Sequence, residues 1–275
     1  MTSDPVTRRG FLLAGATAGV GALSLRVGGA LAASEADDAG APPALGLPQL
    51  TQNGAKVPIT VEMAHPMETG HHVTSVRVVN ERDPIPLKGE FHFTPANGQV
   101  YLAFQARLDE GRSTVQVAAE CSRGHRWSST RETEVASDGG GCAGTAPDGR
   151  ASGSASGERE PDGRAPVIRV PQLLRGRPIE RGQIVDVQVK LKHPVSTGLA
   201  LRAGRWVPVS EPFYLTAMDV FYADRRVSRF VLTPALSDDP LITFRLRPLD
   251  EGLVRVVFRN SRGAEFDAVH PIRFG

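Results

Sequence analysis

Thirty consecutive residues, Ser137 to Pro166, contain no valine, isoleucine, leucine or aromatic side chain. They are Gly, Ala, Ser, Thr, Pro, Asp, Glu and Arg, with a single cysteine near the start. Such a segment has too little apolar surface to offset the entropy of ordering it. Folded cores must therefore form on either side of it. The chain has 275 residues, which allows two modules of modest size.

Both flanks carry strand patterns. Before the break, Lys56 to Met63 alternates apolar and polar residues, and Val73–Val79, Gln99–Phe104 and Ser113–Ala119 follow. Asn97-Gly98, Asp109-Glu110-Gly111 and Arg123-Gly124 punctuate them as turns. After the break, Val185, Val187, Val189 and Leu191 face one way, with Asp186, Gln188 and Lys190 opposite. Ile242, Phe244 and Leu246 repeat that logic, and Arg255–Phe258 adds another strand. Short, closely spaced strands without helical periodicity predict an all-β fold. The expectation is two immunoglobulin-like antiparallel β-sandwiches joined by a Gly/Ser/Pro-rich linker.

The first residues read as an address, not as fold. Thr7-Arg8-Arg9-Gly10-Phe11-Leu12-Leu13 has the form of a twin-arginine export signal, followed by a weakly apolar run and the small-x-small site Ala30-Leu31-Ala32. The run is too short to span a bilayer. The expected organisation is a signal over 1–32, a first sandwich over 33–136, an arm and linker over 137–166, and a second sandwich over 167–275. The whole chain has a formal charge of +2. The signal holds three arginines against one aspartate, so the remainder is neutral. A neutral chain lacks the basic footprint that nucleic acid or an anionic membrane surface requires.

Cys121 and Cys142 are the only cysteines. Cys121 shares its parity with Val115, Val117 and Ala119, so it belongs either to an apolar sheet face or to a disulfide with Cys142. Cys142 sits in Gly139-Gly140-Gly141-Cys142-Ala143-Gly144. With no large apolar neighbour in sequence, it reads as an exposed thiol on a thin, flexible support. Six residues from Ala136 to Gly141 give it a reach of roughly 20 Å.

The two flanks also resemble each other. His65-Pro-x-x-Thr-Gly recurs at His193, Thr94-Pro95-Ala96 at Thr233, Leu108-Asp-Glu-Gly at Leu249, and Ser122-Arg-Gly at Ser261. The order is the same and the offsets are 128, 139, 141 and 139 residues, which indicates duplication of one module. A histidine at a repeated position reads as a shared turn element. His71 and His72 lie near His65, but no acid or cysteine stands at ligand spacing in sequence, so no metal site is expected. No nucleophile–base motif, phosphate cradle or cofactor motif is readable, so neither a cofactor nor an active site is expected.

These features together resemble SoxY fused to SoxZ, the two subunits of the sulfur-oxidation carrier. The SoxY-like stretches are Asn53–Val61, Asn80–Pro86, Phe91–Pro95 and Gly140-Gly141-Cys142, and the SoxZ-like half runs from Ile168 to Phe274, most clearly at His193–Gly198. The resemblance implies a periplasmic carrier, not an enzyme. Cys142 would bind thiosulfate-derived groups covalently on an arm formed by Gly139, Gly140, Gly141 and Gly144. Its partners would be a haem cytochrome that loads thiosulfate, a dimanganese hydrolase that releases sulfate, and a sulfane dehydrogenase. The SoxY-like and SoxZ-like halves would pair with each other. Two other readings stand beside this one: a related carrier associated with a quinoprotein dehydrogenase, and a secreted pair of binding modules without carrier chemistry. The chain departs from the family pattern in placing Ala143 after the cysteine, in continuing beyond it, and in lacking a counterpart of the helical segment before the SoxY sandwich. The arm would thus be tethered at both ends unless the linker is cut after export.

Overall fold

The structure is a computed structural model, and it describes residues 40–136, 141–142 and 165–275. The expected signal, the residues after it up to 39 and most of the linker lie outside the described residues. The first half contributes β1 (Ala44–Gly46), β2 (Leu50–Thr51), β3 (Val57–Met63), β4 (Val73–Val79), β5 (Leu87–Phe93), β6 (Val100–Ala106), β7 (Gly111–Cys121) and β8 (Arg126–Val135). The second contributes β9 (Val167–Arg169), the one-turn helix α1 (Pro171–Leu174), β10 (Val185–Lys190), β11 (Leu199–Arg202), β12 (Arg205–Pro208), β13 (Leu215–Tyr222), β14 (Arg225–Leu232), β15 (Leu241–Leu246), β16 (Gly252–Asn260) and β17 (Glu265–Ile272).

Alternation drives the strands as the sequence predicts. In β3, Val57, Ile59, Val61 and Met63 are buried, with Pro58 and Glu62 exposed between them. In β7, Val115, Val117, Ala119 and Cys121 are buried on one face. In β10, Val185, Val187 and Val189 point inward.

Each half is a β-sandwich, as expected, and the two are joined edge to edge. They share both main sheets. One sheet has the order β1-β3-β6-β15-β10-β9 and the other β17-β16-β13-β14-β5-β4-β7-β8-β2, with β11-β12 as a separate hairpin. The halves meet where β6 pairs with β15 and where β5 pairs with β14, both antiparallel. A parallel pair closes one edge, β2 on β8. Between the sheets, at the seam, Phe91 lies 5.2 Å from Phe230 and 5.0 Å from Phe104, and Phe230 lies 5.8 Å from Phe244. All four rings are buried. The seam is therefore core, which is why the two halves behave as one layer pair.

The repeated motifs supply the seam's hydrogen bonds, and they do so reciprocally. The Arg107 N–H donates to Ala235 O at 2.6 Å, and the Arg247 N–H to Ala96 O at 2.7 Å. Thr94 Oγ1 donates to Val227 O at 2.9 Å, and Thr233 Oγ1 to Leu87 O at 2.7 Å. Arg107 Nη2 donates to Val195 O at 3.2 Å, and Arg247 Nη2 to Met67 O at 2.9 Å. The duplication has become a pseudo-twofold pairing, with each copy closing the other's open edge.

Candidate functional site at the seam

Cys142 lies where β6 runs into β7, against the seam. The backbone there is fixed first. Leu108 N–H donates to Gly54 O at 2.8 Å, which binds the short 3-10 turn Gly54–Lys56 to the end of β6. Gly141 then fits onto that bond. A Cβ at Gly141 would fall 2.2 Å from Leu108 O and 2.3 Å from Gly54 O. A Cβ at Gly54 would fall 2.7 Å from Leu108 O and 3.2 Å from Gly141 Cα. Both positions require glycine because backbone touches backbone there.

Both halves hold the pair Gly141-Cys142. Arg107 Nη1 donates to Gly141 O at 3.1 Å, and Thr197 Oγ1, from the second half, donates to Cys142 O at 3.0 Å. Arg107 is itself steered by Asp238 of the second half, whose Oδ2 lies 2.9 Å from Nη2. Thr197 belongs to the His-Pro-x-x-Thr-Gly turn and also accepts the Leu199 N–H at 3.2 Å.

The exposed thiol expected from sequence is not what the fold presents. Cys142 has 0% exposure. The cover comes from residues distant in sequence, so local composition could not reveal it. Burial pushes the Cys142 thiol up to about 12, with Asp83 and Asp109 adding to the rise and Lys88 and Arg107 opposing it. Those four charges are already engaged. Lys88 pairs with Asp83, both side chains fully buried. Burial holds the Asp83 carboxyl above its usual value, against the pull of Lys88. Asp83 Oδ1 accepts the Asp109 N–H at 3.0 Å, and Asp109 Oδ2 accepts Trp206 Nε1–H at 3.1 Å. Burial outweighs the pull of Lys88 and Arg107, so the thiol of Cys142 is held in its neutral form here.

Of the expected arm glycines, Gly141 is seated as described, while Gly139, Gly140 and Gly144 lie outside the described residues. Cys121 is buried on the apolar face, and both cysteines are free thiols. Sequence reasoning missed Arg107, Thr197 and Asp238. The signal available for Thr197 was its place in the repeated turn, but nothing marked it as a partner of the cysteine. It also missed a grouping in the first half: His65, His71 and Cys121 are all buried, with one ligand-type atom from each within 4.8 Å of the others. The expectation of no such set rested on sequence spacing, and the antiparallel pairing of β4 with β7, which sets Val73 opposite Cys121, brings Cys121 back to the histidine turn.

Comparison with known proteins agrees with this layout. Residues 30–142 match the family described as sulfur oxidation protein SoxY, and residues 175–271 match sulphur oxidation protein SoxZ. No curated protein sequence matches the chain. Among solved structures, the sulfur carrier protein SoxY from Chlorobium limicola f thiosulfatophilum is 20% identical, covers 35% of this chain and 80% of its own, and gives a TM-score of 0.30. The superoxide reductase (neelaredoxin) from Ignicoccus hospitalis is 17% identical, covers 38% of this chain and 88% of its own, and gives 0.33. The Bacteroides ovatus glucan-utilisation protein SGBP-B is 13% identical, covers 84% of this chain and 43% of its own, and gives 0.23. The class defined by the two family matches is that of the sulfur-oxidation carrier proteins, not of catalysts. The chain belongs to the SoxY and SoxZ families at once, as a SoxY–SoxZ fusion whose SoxY match ends on Cys142.

Proposed function

We propose that this fusion carries thiosulfate-derived groups covalently on Cys142, in the periplasm, and that the docked thiol is its resting state. One observation carries the reading. The pair Gly141-Cys142 at the end of the SoxY region is held by hydrogen bonds from both halves, Arg107 to the Gly141 carbonyl and Thr197 to the Cys142 carbonyl. A thiol that serves several enzymes must be inert between visits, and a buried thiol near pKa 12 is inert. Release needs only the two latch bonds and the glycine contacts to break, which leaves the shared sheets intact.

Loading joins the Cys142 sulfur to the sulfane sulfur of thiosulfate. The thiol loses its proton, and two electrons pass to an acceptor, here a haem cytochrome. Hydrolysis then cleaves the bond between the sulfane and sulfonate sulfurs. Water supplies the fourth oxygen of sulfate, and a persulfide stays on Cys142. A dimanganese hydrolase and a sulfane dehydrogenase are the proposed partners for that step and the next. Export by the twin-arginine route rests on Thr7–Leu13 and Ala30–Ala32.

The test is intact-mass analysis after incubation with thiosulfate and the loading haem enzyme. One adduct per chain is expected, absent in Cys142→Ser and retained in Cys121→Ser. An adduct that survives Cys142→Ser, or no adduct on the native protein, overturns the proposal.

A further inference from the structure

We propose that His65, His71 and Cys121 form a binding site for one soft d10 metal ion, copper(I) or zinc(II), remote from Cys142 and independent of the carrier reading. The three residues are 9%, 8% and 2% exposed, and their ligand-type atoms lie within 4.8 Å of one another. Nitrogen and sulfur atoms bound to one such ion at about 2.0–2.3 Å stand roughly 3.5–3.8 Å apart. The site therefore needs only a small inward closure. Two imidazoles and one thiolate select copper(I) or zinc over hard cations. Three ligands in a buried corner suit copper(I), which accepts three-coordination, whereas zinc would recruit a fourth ligand.

The tautomer of His65 favours ligation. Its Nδ1 lies 2.7 Å from the Pro66 carbonyl, so that nitrogen carries the proton and donates. Nε2 then holds the lone pair, and it is buried with no hydrogen-bond partner. An imidazole fixed by a backbone carbonyl through one nitrogen and free at the other is the usual outer arrangement of a metal-bound histidine.

The internal repeat gives a control within the same molecule. His193 occupies the position of His65, Asn260 that of Cys121, Phe213 that of His71, and Phe266 that of Trp127. The backbone frames match: Cys121 N–H donates to His125 O and Asn260 N–H to Ala264 O, both at 3.0 Å. The packing matches as well. His65 lies 4.4 Å from His71 and 5.3 Å from Trp127, and His193 lies 4.8 Å from Phe213 and 5.8 Å from Phe266. In the second half the Asn260 amide meets His193 Nε2 at 3.2 Å, which makes a structural hydrogen bond. In the first half the same two places hold a second imidazole and a thiol. One scaffold thus carries a closed polar corner in one copy and a ligand set in the other.

The ion would clip the turn His65–His71 to the far end of β7. Cys121 closes that strand and Gly111 opens it beside the Cys142 seam, which separates the two sites by roughly 30 Å. Binding releases the Cys121 proton to solvent and changes no oxidation state.

The test titrates the reduced full chain with copper(I) against bicinchoninate, and separately with zinc(II) against a chromogenic chelator. One ion per chain is expected. Cys121→Ser and His65→Gln should weaken it by more than the roughly 10–100-fold that loss of an outer partner brings. Cys142→Ser should bind like the native chain. Metal should raise the thermal midpoint of the native chain and not that of Cys121→Ser, which separates lost ligation from lost folding. Copper(I) bound more tightly than zinc supports a three-coordinate site, and equal affinities support a site that recruits solvent. Failure of both ions to reach one per chain, or equal weakening by Cys121→Ser and Cys142→Ser, overturns the proposal.

Discussion

Thr197→Val should release Cys142 without disturbing the core. The substitution keeps the side-chain volume and deletes the hydroxyl that donates to Cys142 O at 3.0 Å and accepts the Leu199 N–H at 3.2 Å. The first bond exists only in the docked state. Leaving that buried carbonyl unpaired costs about 1–3 kcal/mol. The docking equilibrium should therefore shift by a factor of roughly 5–150 toward the released state. The assay is iodoacetamide labelling in native buffer, with each cysteine quantified by peptide mass spectrometry. Cys121 serves as an internal reference, since it is buried in β7 and reached only through unfolding of that sheet. The expected result is faster labelling of Cys142 by the stated factor, with Cys121 unchanged. Two results refute the latch. One is native Cys142 already reacting as fast as in denatured chain. The other is Cys142 and Cys121 accelerating together, which would report general loosening.

Three further outcomes follow from the same geometry. With the docked thiol near 12 and a free thiol near ~8.5, the docked state binds its proton more tightly. The stability of docking is thus complete below the free-thiol value and falls by about 1.4 kcal/mol per pH unit above it. The alkylation rate of Cys142 should keep climbing tenfold per unit past pH 9, and levelling near ~8.5 would contradict burial of the thiol. Gly141→Ala places a Cβ 2.2 Å from Leu108 O, so it should leave global stability near native while labelling of Cys142 approaches the denatured rate. Docked behaviour in that variant would show that the glycine contact is not required. Burial lowers His193 to about 4, against the opposing effects of its bond to Pro194 and of Asp238 and Asp239. Neutral His193 is fully accommodated above the ordinary value of 6.5, and that stability is lost as pH falls toward 4. The loss amounts to about 3 kcal/mol, read as a flatter pH dependence of denaturant midpoints in His193→Gln between pH 6.5 and 4. Parallel curves for the two proteins would contradict it.

The contrast between Cys121 and Cys142 shows what this sequence could disclose. Cys121 was legible because its burial follows from strand parity, a local rule: Val115, Val117 and Ala119 already define the face. Cys142 was illegible because its burial depends on Arg107, Thr197 and Asp238, which lie 35, 55 and 96 residues away. Glycine-rich composition describes what a segment cannot bury by itself, and says nothing about what the rest of the fold lays over it. Gly141 illustrates the same limit. Read locally, a glycine signals freedom. Seated between Gly54 O and Leu108 O, it is the one residue small enough to let three backbones meet. The internal repeat carried more than its letters suggested. Thr94 and Thr233 looked like turn residues, yet each reaches across the seam to cap a carbonyl of the other copy. A motif duplicated within one chain is thus a candidate for a mutual contact, since pseudo-twofold pairing brings each copy's surface onto its twin. Where the copies diverge, as Cys121 against Asn260, the shared scaffold holds geometry constant and isolates chemistry. The Gly141-Cys142 segment obeys the same logic. Arg247 mirrors Arg107 in its backbone and Nη2 bonds across the seam, but only Arg107 also takes the carbonyl of Gly141. Among the described residues, the seam's clearest asymmetry is thus Gly141-Cys142, laid against Arg107 and bound by Thr197 from the other half.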